Sequence, residues 1–203
     1  MDENIALKQL EELKKYSGNM RLAAEKWDSE FQILISIILS ARTLDETTIK
    51  VGIKLFEKYP DAKSLAKADI EEIKRIINRI NFFENKSKYI IECSKILEKE
   101  YNGIPPHDLD KLIQLSGVGR KTANVFLSEV GSSGIGVDTH LSYVAQKLNW
   151  TIHKDPQKIE MDLKQLFSRE DWNKVNPIAV RFGKTHTSRI KKDKILDEIK
   201  KIR

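Results

Sequence analysis

The chain has 203 residues, 36 basic against 30 acidic side chains, a net charge of +6 and one cysteine, Cys93. A lone cysteine excludes an intramolecular disulfide and suggests a reducing compartment. The most apolar window, Phe31 to Leu39, is too short to cross a bilayer, and Met1-Asp2-Glu3-Asn4 opens no secretory leader, so a soluble intracellular protein with no membrane partner is expected.

The cationic excess favours a polyanionic partner, because neutralised phosphates release counterions; an equal excess also occurs in proteins that bind nothing anionic. Ile5, Leu7, Leu10 and Leu13 fall among Lys and Glu at the spacing of an amphipathic helix over 5–16. The chain then runs to Trp27, and Phe31 to Ser40 is apolar nearly all round. Periodicity does not separate strand from helix there, and its β-branched residues lean towards strand. The lack of partner strands or hairpin signals elsewhere decides for a buried helix.

Ser40-Ala41-Arg42-Thr43-Leu44-Asp45-Glu46 is polar and turn-like, with Thr43 or Asp45 placed to cap a helix through Tyr59 that Pro60-Asp61 breaks. Helices over 62–68, 69–79 and 86–101 follow, the last stopped by Asn102-Gly103 ahead of Pro105-Pro106. Beyond Trp150 the spacing predicts helices over 157–167 and, after Pro177, over 178–185, then a Lys-rich helical tail from about 189. The count is ten or eleven helices with no strand, an all-α fold.

The richest stretch lies between. Asp108 caps a short helix to Leu115, and Ser116-Gly117-Val118-Gly119 makes a tight turn into a second helix that begins Arg120-Lys121-Thr122-Ala123-Asn124. Amides converging on a helix start form a phosphate site, although Gly-x-Gly also describes an ordinary turn between two helices. Gly136-Val137-Asp138-Thr139-His140 then places Asp138 as the cap of another helix to about Trp150. A lysine at one helix start and an aspartate at the next suit amine-based nucleophilic catalysis; singly, each is an ordinary surface lysine or N-cap.

These segments resemble the helix-hairpin-helix and catalytic-aspartate signature of the endonuclease III family of DNA glycosylases, with Ser116 where the family carries proline. The resemblance is close over about residues 27–150 and implies two helical lobes with a cleft between them. A helical barrel would span 25–132 and contain the hairpin unit at about 109–130; residues 1–24 plus 133–203 would form the second lobe, carrying Asp138. It also implies a central helix at Phe31–Ser40.

By that resemblance Lys121 attacks C1′ of a nucleotide swung out of the stack, leaving a Schiff base that undergoes β-elimination. A free lysine has a pKa near 10.4 and must be lowered to act as an amine; the helix start, Arg120 and desolvation in a closed cleft would lower it. Asp138 takes the lysine proton or offsets positive charge on the sugar. Leu115, Gly117 and Gly119 offer amides to a phosphate beside Arg120 and Thr122, and such hairpins can hold a monovalent cation on their carbonyls. These contacts position duplex DNA without specifying sequence. His140 is expected to pack rather than react, and no zinc ligand set surrounds it.

The implied function is a bifunctional glycosylase and abasic-site lyase acting on oxidised pyrimidines in damaged double-stranded DNA as a monomer, in the cytoplasm with the nucleoid. A uracil or thymine mismatch glycosylase and a binding-only hairpin module are the alternatives. Three departures matter. No cysteine follows Cys93, so the four-cysteine iron–sulfur cluster of many relatives is not expected, and Trp172, Ile178, Val180 and Phe182 are expected to hold the C-terminal region by packing. Arg42 stands where the family places a gap-filling Gln, and an arginine can donate two bonds to guanine. Phe82, in Asn81-Phe82-Phe83, stands at the family's wedge loop, where an exposed ring would unstack a duplex and a buried one would be core. Lys191, Lys192 and Lys194 are either a solvated face or further DNA contacts.

Overall fold

The computed structural model describes residues 2–132 and 134–203. Among them are twelve helices and no strand. The first six are α1 (Glu3–Lys15), α2 (Glu30–Ser40), α3 (Asp45–Lys58), α4 (Ala62–Ala66), α5 (Ile70–Ile76) and α6 (Phe83–Tyr101). The rest are α7 (Leu109–Leu112), α8 (Arg120–Glu129), α9 (Thr139–Lys147), α10 (Pro156–Leu166), α11 (Trp172–Thr185) and α12 (Arg189–Ile199).

Two compact units divide the chain: Arg21–Val130, and Met1–Met20 with Gly131–Arg203. The second takes in residues 131 and 132, expected in the barrel, and the first takes in residues 21–24, expected in the second lobe. Ala24 belongs to its core, Arg21 Nε donates to Glu25 O at 2.9 Å, and Trp27 Nε1 donates to Ala23 O at 2.7 Å. Its axis is α2, apolar on every face because every face is covered. Phe31, Leu34, Ile35, Ile37, Ile38 and Leu39 are all buried, against α3, α6 and α8. Ser29 caps this helix through Gln32 N at 3.3 Å.

In the second unit Ala6, Leu10 and Leu13 of α1 pack with Leu141 and Val144 of α9, Val175, Ala179 and Phe182 of α11, and Leu196 and Ile199 of α12. Ile178 and Phe182 are in that cluster and Trp172 packs against it, whereas Val180 is buried outside it.

Several local expectations need correction. Neither Thr43 nor Asp45 caps α3; Leu44 holds that position with no side-chain bond. α6 begins at Phe83, a turn earlier than its periodicity implies, because Phe82 takes a left-handed conformation (φ 60°) and turns the chain sharply into the helix. α5 stops at Ile76 and α9 at Lys147. α11 runs straight through Pro177, starting at Trp172. Proline removes one donor and crowds the preceding turn, but Val175, Ile178, Ala179 and Phe182 are all buried at helical spacing, and their packing outweighs it.

Candidate active site

In the first unit, Asp108 caps α7 through Lys111 N at 2.9 Å, and Val118 N donates to Leu115 O at 3.1 Å to close the turn that follows. Leu115 and Val118 are buried and anchor the hairpin. Gly117 has φ +78°, and a Cβ there would stand 2.8 Å from Tyr89 Cβ and 3.4 Å from Ile38 Cγ2. Both backbone conformation and space therefore demand glycine. Gly119 differs: it is the N-cap of α8 at φ −90°, and a Cβ would meet nothing within 4 Å. The hairpin thus presents an open backbone face at a helix start, where amide donors and the dipole favour an anion.

α8 buries Ala123, Phe126 and Leu127, which turns its opening residues outward. Arg120 and Lys121 are exposed and Thr122 is half-buried. Among the described residues Lys121 enters no ion pair, so its amine is not committed to a carboxylate.

In the second unit Asp138 caps α9. Its Oδ1 accepts from Leu141 N at 2.8 Å, and its backbone O accepts from Ser142 N at 2.8 Å. Half-buried, it commits one carboxylate oxygen to the cap; no other hydrogen bond reaches that carboxylate among the described residues. Asn176 Nδ2 donates to Gly136 O and fixes the approach to the cap. His140 packs against Gly183 of α11, in line with a packing role. Of the C-terminal cations, Lys192 lies with its Nζ 5.1 Å from the Tyr143 ring centroid, while Lys191 and Lys194 are exposed.

The two departures at Arg42 and Phe82 come together in one place. Both residues are exposed, both have positive φ (58° and 60°), and the Arg42 guanidinium sits 5.4 Å from the centre of the Phe82 ring. Phe82 is 55% exposed and not core. Asn81 ties the segments, its Nδ2 donating to Arg42 O and its N to Thr43 Oγ1 at 3.1 Å.

Below them is a residue that the sequence reading missed. Lys86 is buried, and its Nζ donates to Leu39 O at 2.7 Å, to Ala41 O at 2.6 Å and to Thr43 Oγ1 at 3.5 Å. Burial pulls its pKa down to about 8. The signal was present in the periodicity: Lys86 is in phase with Ile90, Cys93 and Leu97 on the apolar stripe of α6.

Residues 35–169 match the HhH-GPD superfamily of base excision DNA repair proteins. The chain is 40% identical over 156 residues to endonuclease III of Thermotoga maritima, covering 76% of this chain and 73% of that one. It is also 40% identical over 161 residues to endonuclease III of Synechocystis, covering 78% and 73%. A trapped endonuclease III–DNA covalent intermediate superimposes with a TM-score of 0.82 at 31% identity, covering 93% of this chain and 89% of that one. The Gly117–Gly119 hairpin, Lys121 opening α8 and Asp138 capping α9 all fall within the matched span. The chain belongs to the HhH-GPD superfamily of base excision DNA repair proteins and, within it, to the endonuclease III family of DNA glycosylases.

Proposed function

We propose that the protein removes oxidised pyrimidines from intracellular duplex DNA and then cleaves the abasic strand, with Lys121 as nucleophile and Asp138 as its acid–base and electrostatic partner. Its family makes it a base excision repair glycosylase with abasic-site lyase activity. The observation that carries the assignment to Lys121 is its place: an exposed amine in the first turn of α8, free of ion pairs among the described residues, directly after the Gly117–Gly119 hairpin.

The hairpin amides take a backbone phosphate, with Arg120 and Thr122 beside it. Once the damaged nucleotide is extruded, the Lys121 amine forms a bond to C1′ and the glycosidic bond breaks. The base leaves with the electron pair and takes up a proton. The sugar opens to a Schiff base, a C2′ proton is removed, and the C3′–O bond breaks with release of the phosphate. Water then frees Lys121. Asp138 accepts the ammonium proton and offsets positive charge on the sugar. A neighbour solved as a trapped covalent protein–DNA intermediate supports chemistry of this type.

No cluster takes part in this proposal. The sole cysteine, Cys93, is buried in the core of the Arg21–Val130 unit, where burial raises its thiol to about 12, so the residues present do not fit a four-thiolate site. The Phe182 and Ile178 packing serves the C-terminal region instead. The proposal includes a monomeric enzyme and a monovalent cation on the hairpin carbonyls. Sedimentation tests the first, and potassium dependence of duplex affinity tests the second.

Borohydride trapping is the decisive experiment. Wild-type protein should become covalently joined to duplexes carrying thymine glycol or an abasic site, and Lys121→Ala should not; trapping of the variant at the wild-type level would overturn the assignment. A second substrate reading, uracil or thymine opposite guanine, is favoured by the exposed Arg42 guanidinium over Phe82, which suits an orphaned guanine. Rates on a panel with thymine glycol and with uracil opposite guanine separate the two.

A further inference from the structure

We propose that Lys86 is a positioning residue for nucleotide extrusion: it clamps the Arg42 loop to the Phe82 turn so that both exposed side chains enter the duplex as one unit. The inference rests on the glycosylase reading above and concerns a residue that touches neither DNA nor the reacting sugar.

The clamp follows from its partners. α2 ends at Ser40, and Ala41 leaves helical geometry at once (φ −54°, ψ 116°), so the carbonyls at that end need donors. α2 has no basic residue in its last turn. Lys86 reaches in from α6 and supplies one. Its three donors match the three acceptors Leu39 O, Ala41 O and Thr43 Oγ1, and a cation complements the negative end of a helix dipole. Lys86 N also donates to Phe82 O at 3.0 Å, the first bond of α6, so the lysine stands one turn beyond the exposed ring.

Asn81 adds its two bonds to Arg42 and Thr43 from the same turn. The Arg42 loop is thus held from below by Lys86 and from the side by Asn81, with two non-glycine residues kept in left-handed conformations. Such strain persists only where surrounding contacts over-determine it, and it gathers at sites that act on a ligand. No carboxylate pairs with Lys86 among the described residues. An apolar side chain of similar volume would avoid the desolvation cost of a buried cation, but it would leave the loop untied.

Extrusion of a paired, damaged base needs both the wedge and a group to fill the gap. An abasic site has no base to displace, so the clamp should matter to one step and little to the other. The test compares single-turnover base removal from a thymine glycol duplex with strand cleavage of a preformed abasic duplex, together with amide hydrogen exchange over residues 41–43. Lys86→Met should lower the first rate about tenfold or more while changing the second less than about threefold. Exchange at 41–43 should quicken in the same variant.

Asn81→Ala, an exposed change that spares the core, should give the same selective loss, and Lys86→Arg should restore most of it. Leu97→Ala destabilises α6 away from the loop and should leave the ratio of the two rates unchanged. Equal loss of both rates, or no loss, in Lys86→Met and Asn81→Ala overturns the proposal, as does unaltered loop exchange. Failure of the wild type on every damaged duplex would instead sink the substrate reading, and the exchange data would still decide the clamp.

Discussion

Gly183 of α11 lies directly against the ring of His140 in α9: a Cβ at position 183 would overlap Nδ1 and stand 2.7 Å from Cγ and 3.0 Å from Cβ. The helix that Asp138 opens is therefore seated by a glycine remote from it in sequence. Gly183→Ala must push His140 or all of α9 aside. Overpacking of this kind costs about 1–3 kcal/mol, and a displaced Asp138 should slow abasic-strand cleavage by about tenfold or more. His140→Ala in the same chain should recover most of the lost stability. Urea unfolding and single-turnover rates for the two single variants and the double variant measure the coupling; additive effects would show that the two residues do not meet.

Asp138 caps α9 and, in the proposed mechanism, also serves as the acid–base group, and one substitution can separate the two. Its Oδ1 caps α9 through Leu141 N, and an asparagine side-chain oxygen makes the same bond. Asp138→Asn should thus hold stability to within about 1 kcal/mol. Base removal should fall by about 10²–10⁴, the usual worth of an acid–base group. A thermal melt beside single-turnover kinetics checks both halves, and a stable variant with wild-type rates would remove Asp138 from the mechanism.

Parts of the molecule were plain in the sequence because short-range chemistry decides them. Asn102 and Gly103 end α6 with φ of 52° and 79°, as a stop signal should, and the glycines at 117 and 119 announce a hairpin before any contact is known. Lys121 and Asp138 were visible as two helix starts whose order matches a family signature. What stayed hidden depends on tertiary packing. Pro177 looked like a boundary because proline lacks a donor, yet buried residues on both sides of it carry α11 through. Arg42 and Phe82 lie forty residues apart in the sequence, and only the bonds of Asn81 and Lys86 show why they stand together. Lys86 does not announce itself as buried, because lysine is ordinarily solvated, although it lies in phase with an apolar stripe.

The two glycines of the hairpin should respond differently, one through stability and the other through duplex binding. Gly117→Ala places a Cβ at positive φ against Tyr89 and Ile38, so strain and overpacking together should cost on the order of 2–4 kcal/mol. Gly119→Ala meets open space at a permitted φ, and the fold should lose less than about 1 kcal/mol. That open space is where a phosphate would lie, so Gly119→Ala should still weaken duplex binding by about tenfold. Unfolding midpoints and fluorescence-anisotropy titrations at fixed salt measure the pair. A Gly119→Ala protein that binds duplex normally would move the phosphate away from the hairpin.

Lys86 also sets a pH dependence of stability with a definite sign. Unfolded, its amine titrates near 10.5, and in the folded chain burial holds it near 8. Between those values the unfolded chain retains more of the proton, so this group's contribution to stability rises with pH. It is fully present above about 10.5 and is lost as pH falls through about 8. The groups that face the ammonium are two carbonyls and a hydroxyl, none of which titrates in this range. Their hydrogen bonds favour the charged form and offset part of the desolvation, so the gain from pH 7 to pH 10 should be on the order of 2 kcal/mol. Lys86→Met has no proton to lose there and should lack this rise. Urea midpoints of wild type and variant across that range should therefore diverge upward for the wild type; parallel curves would mean that Lys86 titrates as a solvated lysine, with its ammonium in water rather than under the Arg42 loop.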